Sequence, residues 1–316
     1  MKIIACACAL FLATCLGMAG GFGFARAATE TPSTAVKVAR VGDVELHYIE
    51  RGTGVPVIFV HGSVDDYRSF EPQLEPLSQH YRVISYSRRY NFPNATKNLS
   101  GSHSALVEAD DLAGLLKALG AYPAHVVGHS YGAYTALVLA MKHPELVRSL
   151  VLAEPPLLRW LPGLPGGQSL YADFMNNMWD PTGREFRHGS SEQAMRKTIE
   201  WFGKHGYLIE GKPAQFDALP ADTRSFIMQN AREWQALTTS SDAFPMLDRE
   251  AVKAIKAPIL LMSGQHTMQM NKRINAELER LLPGAETVVV QGATHEMWAE
   301  QPDACRARAA AFFAEH

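Results

Sequence analysis

The stretch VVGHSYGAYTALVLA (126–140) passes from two strand-forming valines to a helix-forming run of Ala, Leu and Val through one serine. Gly128 and Gly132 stand two residues to either side of Ser130. A serine hydroxyl at its ordinary pKa is a poor nucleophile, so an enzyme that uses one must present it to a base, clear of the sheet. A tight strand-to-helix turn does this, and its strained apex leaves no room for side chains two residues away. The helix that starts there aims its first N–H groups at the serine, where they favour developing negative charge. A bare G-x-S-x-G is a weak signal. Between HVV and AYTALVLAMKHP it has the strand–turn–helix context the chemistry needs.

Outward from this turn, short apolar runs rich in β-branched residues recur with turn signals between them. VELHYIE (44–50) alternates like a half-exposed strand, and VPVIFVHG (55–62) is continuous like a buried one. YRVISYS (81–87), AHVVGHS (124–130), VRSLVLAE (147–154), PILLMSG (258–264) and ETVVVQG (286–292) follow, and TAVKVARV (34–41) is placed to begin the sheet. Helical periods lie between them. In 103–120 Leu106, Leu112, Leu115, Leu116 and Leu119 share one face, 270–284 stops at Pro-Gly, and 303–316 closes the chain. This alternation predicts an α/β fold with a mostly parallel sheet flanked by helices. Residues 155–250 break it. They carry helix-like segments near 168–178, 191–204 and 221–238 and many aromatics, Trp160, Phe174, Trp201, Tyr207 and Trp234 among them. Set between two strands, they read as a helical lid on a core of 28–154 and 251–316, with most of the aromatics packing lid on body.

Composition bounds the function. The chain has 316 residues, 47% hydrophobic and 20% charged, ordinary for a soluble globular protein. A formal charge of −2 argues against a nucleic-acid partner, which calls for a basic face. Residues 1–27 have a basic start at Lys2, an apolar run and small residues ending Ala25-Arg26-Ala27, the pattern of a cleaved signal peptide. Export to the periplasm or beyond follows, with no stable membrane association after cleavage. Lipidation at Cys15 is the weaker variant, since Thr14 before it makes a poor lipobox. Cys6, Cys8 and Cys15 lie in the leader, so Cys305 alone remains and no internal disulfide or cysteine metal cluster is expected. Neither H-E-x-x-H nor a G-x-G-x-x-G opening a helix is present, so no metal or cofactor is called for.

FVHGS (59–63), GHSYG (128–132), LVLAEPP (150–156) and GATHEMW (292–298), in that order, resemble the α/β-hydrolase superfamily. The resemblance runs from about residue 36 to 315. It implies an eight-stranded sheet with an inserted helical lid and a catalytic triad. It implies His295, on the loop after the last strand, as general base. In most of the family the acid follows the strand that here reads ILLMSG, but that loop reads GQHTMQMN and holds no carboxylate, while Asp242 and Asp248 precede the strand. Some branches, such as haloalkane dehalogenases and zearalenone-type lactone hydrolases, place the acid after the strand that follows the nucleophile helix. Glu154 stands there, where it could hold His295 in one tautomer; a loop-capping role for Glu154, or pairing with an arginine, stays open. The oxyanion hole is expected from the amides of Tyr131 and Ser63, with Val64 as the weaker choice for the second. His61, Gly62, Val64 and Trp160 are the expected substrate-binding residues. Arg88 and Arg89 either bind a substrate carboxylate or pair with Asp65 or Asp66.

The function this supports is a serine hydrolase acting on a small, apolar carboxylic ester or lactone. C–C hydrolysis or cofactor-free haloperoxidase chemistry on the same triad stays open, as does a ligand-binding protein that has lost activity. Ser130 argues against epoxide hydrolase and haloalkane dehalogenase, which use an aspartate nucleophile.

Overall fold

The computed structural model describes residues 35–96, 98–205 and 215–316. The leader expected over 1–27, the lipidation site at Cys15, and Tyr207 lie outside the described residues.

Eight strands form one sheet: β1 (Lys37–Val41), β2 (Val44–Arg51), β3 (Pro56–Val60), β4 (Arg82–Tyr86), β5 (Ala124–His129), β6 (Val147–Ala153), β7 (Ile259–Gly264) and β8 (Glu286–Val290). Their order is β1-β2-β4-β3-β5-β6-β7-β8. β1 with β2, and β2 with β4, are antiparallel, and the remaining pairs are parallel. Each run that reads as a strand in the sequence is one. β5 is buried at every position because helices cover both faces, which is why its sequence is continuous rather than alternating. Outer β2 alternates over its first half.

The helices are α1 (Glu71–Leu77), α2 (Ala105–Ala118), α3 (Tyr131–Lys142), α4 (Gly167–Phe174), α5 (Asp180–His188), α6 (Ser191–Lys204), α7 (Ala221–Thr238), α8 (Arg249–Lys253), α9 (Gln269–Leu281), α10 (Met297–Glu300) and α11 (Pro302–Glu315). In α2 the buried face runs through Ala105, Glu108, Ala109, Leu112, Leu115 and Leu116. Leu106, expected on that face, is 37% exposed, because Ala105 one position earlier takes its place against the core.

Between β6 and β7 the described residues form helices α4 to α8 and a π-helical turn over Met175–Trp179. Helix α5 has no counterpart in the sequence reading, since Asp180-Pro181-Thr182-Gly183 resembles a turn. Pro181 is tolerated because it lies in the first helical turn, where an N–H has no intrahelical partner. Gly183 lets the helix approach α7: a Cβ there would lie 2.5 Å from the Thr238 carbonyl oxygen. The aromatics of this insertion pack largely on one another, Phe174 against Trp179 and Trp201, and Trp179 against Trp234. Among the described residues no helix is long and apolar enough to cross a membrane.

Candidate active site

β5 and β6 lie side by side, with His129 level with Ala153. The next residues, Ser130 and Glu154, leave the C-terminal ends of neighbouring strands together, at the end of such sheets where ligands bind. Ser130 has φ 52° and ψ −122°, a left-handed bend that turns β5 into α3. The two glycines are explained by what surrounds them. A Cβ on Gly132 would lie 2.1 Å from the Val60 carbonyl oxygen, and one on Gly128 would lie 2.5 Å from Ala133 Cα. α3 thus packs directly on β3, and its N-terminus faces the serine.

Glu154 is buried and also stands at φ 52°. Its Oε2 accepts a hydrogen bond from His295 Nδ1. The same oxygen accepts from Thr267 Oγ1 and from Asn271 Nδ2, each at 2.7 Å, and Oε1 accepts from the Gly264 amide at 2.8 Å. The loop after β7 therefore holds no carboxylate because it supplies donors to one. Gly264, Thr267 and Asn271 were not singled out in the sequence. Their signal was there, in a Thr and an Asn standing where an Asp was missed.

His295 lies on the loop after β8. Burial opposes its charged form, but the hydrogen bond and charge of Glu154 outweigh that and raise its pKa above the ordinary value. Its loop is held by His129, whose Nε2 donates to the His295 carbonyl oxygen at 2.9 Å. Burial and the neighbouring His295 push the pKa of His129 down to about 3, so it is neutral and serves as a strut. His129, His295 and Glu296 bring ligand-type atoms within 4.8 Å of one another.

Ser130, Tyr131, Ser63, Val64 and His295 line one cavity of about 670 Å³. That volume is within the range of small-molecule sites. The insertion supplies much of its apolar wall, through Phe174, Ile199, Phe226, Ile227 and Trp234, and Met268 and Met270 face them from the start of α9. Polar groups line it as well, Asp65, Asn271, Glu296 and Glu300 among them; burial, then the charge of Glu296, push the pKa of Asp65 well above the usual carboxylate range. Among the described residues the Ser63 and Tyr131 amides meet no protein acceptor, whereas the Val64 amide donates to Glu233 Oε2 at 3.1 Å. The weaker oxyanion choice, Val64, is thereby engaged elsewhere, although Val64 does line the cavity as expected.

Three of the residues expected to bind substrate, His61, Gly62 and Trp160, do not line this cavity. His61 is fully buried behind the cavity wall: its Nε2 accepts from the Arg88 amide at 3.0 Å, so Nδ1 carries the proton and donates to the Gly62 carbonyl at 2.8 Å. Burial, then Arg88, push its pKa down to about 3. Gly62 backs the turn at Ser130, where a Cβ would lie 3.2 Å from Ser130 Cβ. Trp160 is buried within the insertion, its Nε1 donating to the Leu247 carbonyl at 2.9 Å and its ring covered by Arg249. Arg88 and Arg89 do form ion pairs, but with other partners. Arg88 meets Glu108 and Glu233, and Arg89 meets Asp111 and Asp43. Asp66 binds Arg68 instead, and Asp248 caps α8.

A sheet of this order, with a strained serine after the fifth strand and a histidine after the eighth, defines the α/β-hydrolase class. Residues 55–302 match the family described as alpha/beta hydrolase fold, and the chain belongs to that family. It is 27% identical over 262 residues to 2-(acetamidomethylene)succinate hydrolase of Mesorhizobium japonicum, covering 81% of this chain and 86% of that one. Among solved structures it resembles the enol-lactonase of Burkholderia xenovorans (TM-score 0.66, 20% identity, 88% of this chain and 100% of that one). It also resembles a thermophilic esterase of Thermogutta terrifontis (TM-score 0.67, 21% identity, 89% and 98%).

Proposed function

We propose that the protein is a serine hydrolase that cleaves a small, apolar carboxylic ester or lactone through an acyl-enzyme intermediate. The observation that carries this reading is the sharing of one cavity by Ser130, the Glu154-bonded His295 and the two open amides of Ser63 and Tyr131. Ser130 Oγ attacks the carbonyl carbon while His295 Nε2 takes its proton. Glu154 holds the Nδ1–H and stabilises the imidazolium. The Ser63 and Tyr131 amides receive the oxyanion, where fixed dipoles in a low-dielectric site act most strongly. The tetrahedral intermediate expels the alcohol, which takes the proton from His295. Water, deprotonated by His295, then attacks the acyl carbon, and Ser130 leaves with the proton returned.

The apolar wall supports a neutral, apolar acyl or alcohol group, and the insertion acts as the lid over it. Residues 1–27 act as an export leader, a reading that rests on the sequence alone and is checked by the N-terminus of the protein recovered from its host. The function is tested by a fluorophosphonate probe and a panel of p-nitrophenyl esters and lactones. Labelling at Ser130, with turnover lost in Ser130→Ala, is the expected result. Undiminished turnover by the pure variant would remove the mechanism, and binding of substrate without labelling would leave only a ligand-binding role.

A further inference from the structure

We propose that Glu233, on insertion helix α7, is a positioning residue for the oxyanion hole, acting with Arg88 to fix the two peptide planes that flank Ser63. This rests on the reading of the Ser63 amide as an oxyanion donor.

The first plane joins Gly62 to Ser63. Its carbonyl oxygen accepts from Arg88 Nη2 at 2.9 Å, and Arg88 Nε reaches the His61 carbonyl at 3.1 Å. In a planar trans peptide the C=O and N–H point in opposite directions. A guanidinium that holds the Gly62 oxygen on one side therefore aims the Ser63 N–H to the other. The second plane joins Ser63 to Val64, and its N–H donates to Glu233 Oε2 at 3.1 Å. The other oxygen of Glu233, Oε1, accepts from the same Arg88 Nη2 at 2.8 Å. One carboxylate thus completes a closed clamp on both planes, and both its side chain and that of Arg88 are fully buried.

The backbone shows why a clamp is needed. Val64 has φ 63°, and among the described residues only Ser130 and Glu154 share a positive φ without being glycine. A β-branched residue in that region is strained and persists only where its surroundings over-determine it. The hydrogen bond that the Val64 amide donates to Glu233 supplies that constraint at Val64 itself. The neighbour of Glu233, Trp234, lines the cavity. The same helix therefore touches the substrate space and holds the loop that would bind the oxyanion. The core alone does not complete the hole; α7 must be docked.

Two conservative variants of the full-length protein test this. Glu233→Asp keeps a carboxylate for Arg88 but is one methylene too short to span both Arg88 and Val64. Glu233→Gln loses the charge and turns an NH2 toward Arg88, which keeps Glu108 and the Gly62 carbonyl as acceptors, but it retains the reach and an oxygen for the Val64 amide. The expected result is a kcat loss of roughly tenfold or more in Glu233→Asp at nearly unchanged KM, with a boronic-acid inhibitor weakened by a similar factor. Glu233→Gln should stay within about fivefold of wild type. The pH at half-maximal kcat/KM should not move in either, since His295 and Glu154 are untouched. The reverse order, with Gln worse than Asp, or a loss confined to KM, would overturn the proposal. Amide hydrogen exchange over 61–66 reads the loop without chemistry: faster exchange in Glu233→Asp alone supports the clamp, and equal exchange in all three proteins refutes it. Failure of the serine-hydrolase reading would appear separately, as ester turnover that survives Ser130→Ala.

Discussion

The Ser130 amide donates to the carbonyl of Ala153 at 2.8 Å, so Ser130 and Glu154 leave adjacent parallel strands at one level, each at φ 52°. Two bends at positive φ, on neighbouring strands, turn two side chains out of the sheet at its C-terminal edge. With Val64 they make three strained positions among the described residues, and all three border this site. Strain gathered in this way is maintained by dense local bonding, and Glu154 alone accepts from four donors.

Glu154→Gln removes the negative charge facing His295 while keeping the side-chain shape. Kcat should fall roughly 10²- to 10⁴-fold with the melting temperature little changed. Asp242→Asn and Asp248→Asn, which alter an exposed residue and a helix cap, should stay near wild type. Steady-state kinetics on one ester decide between them, and the opposite pattern would move the acid away from Glu154.

The pH profile follows from His295. Burial works against its charged form, but Glu154, then Glu296 and Glu300, raise its pKa above 6.5. A general base must be neutral, so kcat/KM should rise with pH and reach half its plateau above pH 6.5. Glu154→Gln takes away the largest raising groups and leaves burial, so the half-point should move down. Stability has the matching sign: the contribution of His295 is present below its unfolded pKa and is lost as pH rises through the raised folded value. An unmoved half-point in the variant would contradict the pairing.

Gly132→Ala should destabilise the fold by about 3 kcal/mol or more, since backbone oxygens of Val60 and His61 stand where the methyl must go. Gly120→Ala makes the comparison, because nothing lies within 4 Å there and only its positive φ opposes the change. Urea unfolding of the two variants should differ clearly, with Gly132→Ala the worse.

Arg88→Leu strands Glu108 and Glu233 in the interior. Burial opposes the charge on Glu108, and Arg88, with His103, holds its pKa down at about 2. Loss of the cation should cost roughly 3–5 kcal/mol in urea unfolding. Changing Arg88, Glu108 and Glu233 together to apolar residues should restore much of that stability. It should not restore activity, because the loop at 61–64 would lose its clamp.

Ile227→Trp would fill part of the cavity from α7. Long-chain esters should lose roughly tenfold or more in kcat/KM, and acetyl esters should change less than about threefold. Equal effects on both would mean the substrate does not extend along this wall.

The strands, the turn at Ser130 and the position of His295 after the last strand were legible in the sequence because each rests on local chemistry. Buried β-branched runs, paired glycines and a histidine between a strand and a closing helix are read within a few residues. Glu154 was legible by its register on the strand beside Ser130. The cradle of Gly264, Thr267 and Asn271 was not, because donors spread over a strand end, a loop and a helix start reveal no shared partner until the chain is folded. Trp160 misled for a related reason: an aromatic near a cavity serves equally well as wall or as packing, and only its position in the fold separates the two.

By itself, then, the sequence determined the order of the elements and the residues that chemistry would single out, since period, glycine spacing and turn signals act over short range. Only the tertiary structure decided who meets whom. Arg88 finds Glu233 across 145 positions, and Glu154 finds His295 across 141. Charge and hydrogen-bonding capacity are properties of single residues, but a pairing depends on where the packed core leaves each side chain.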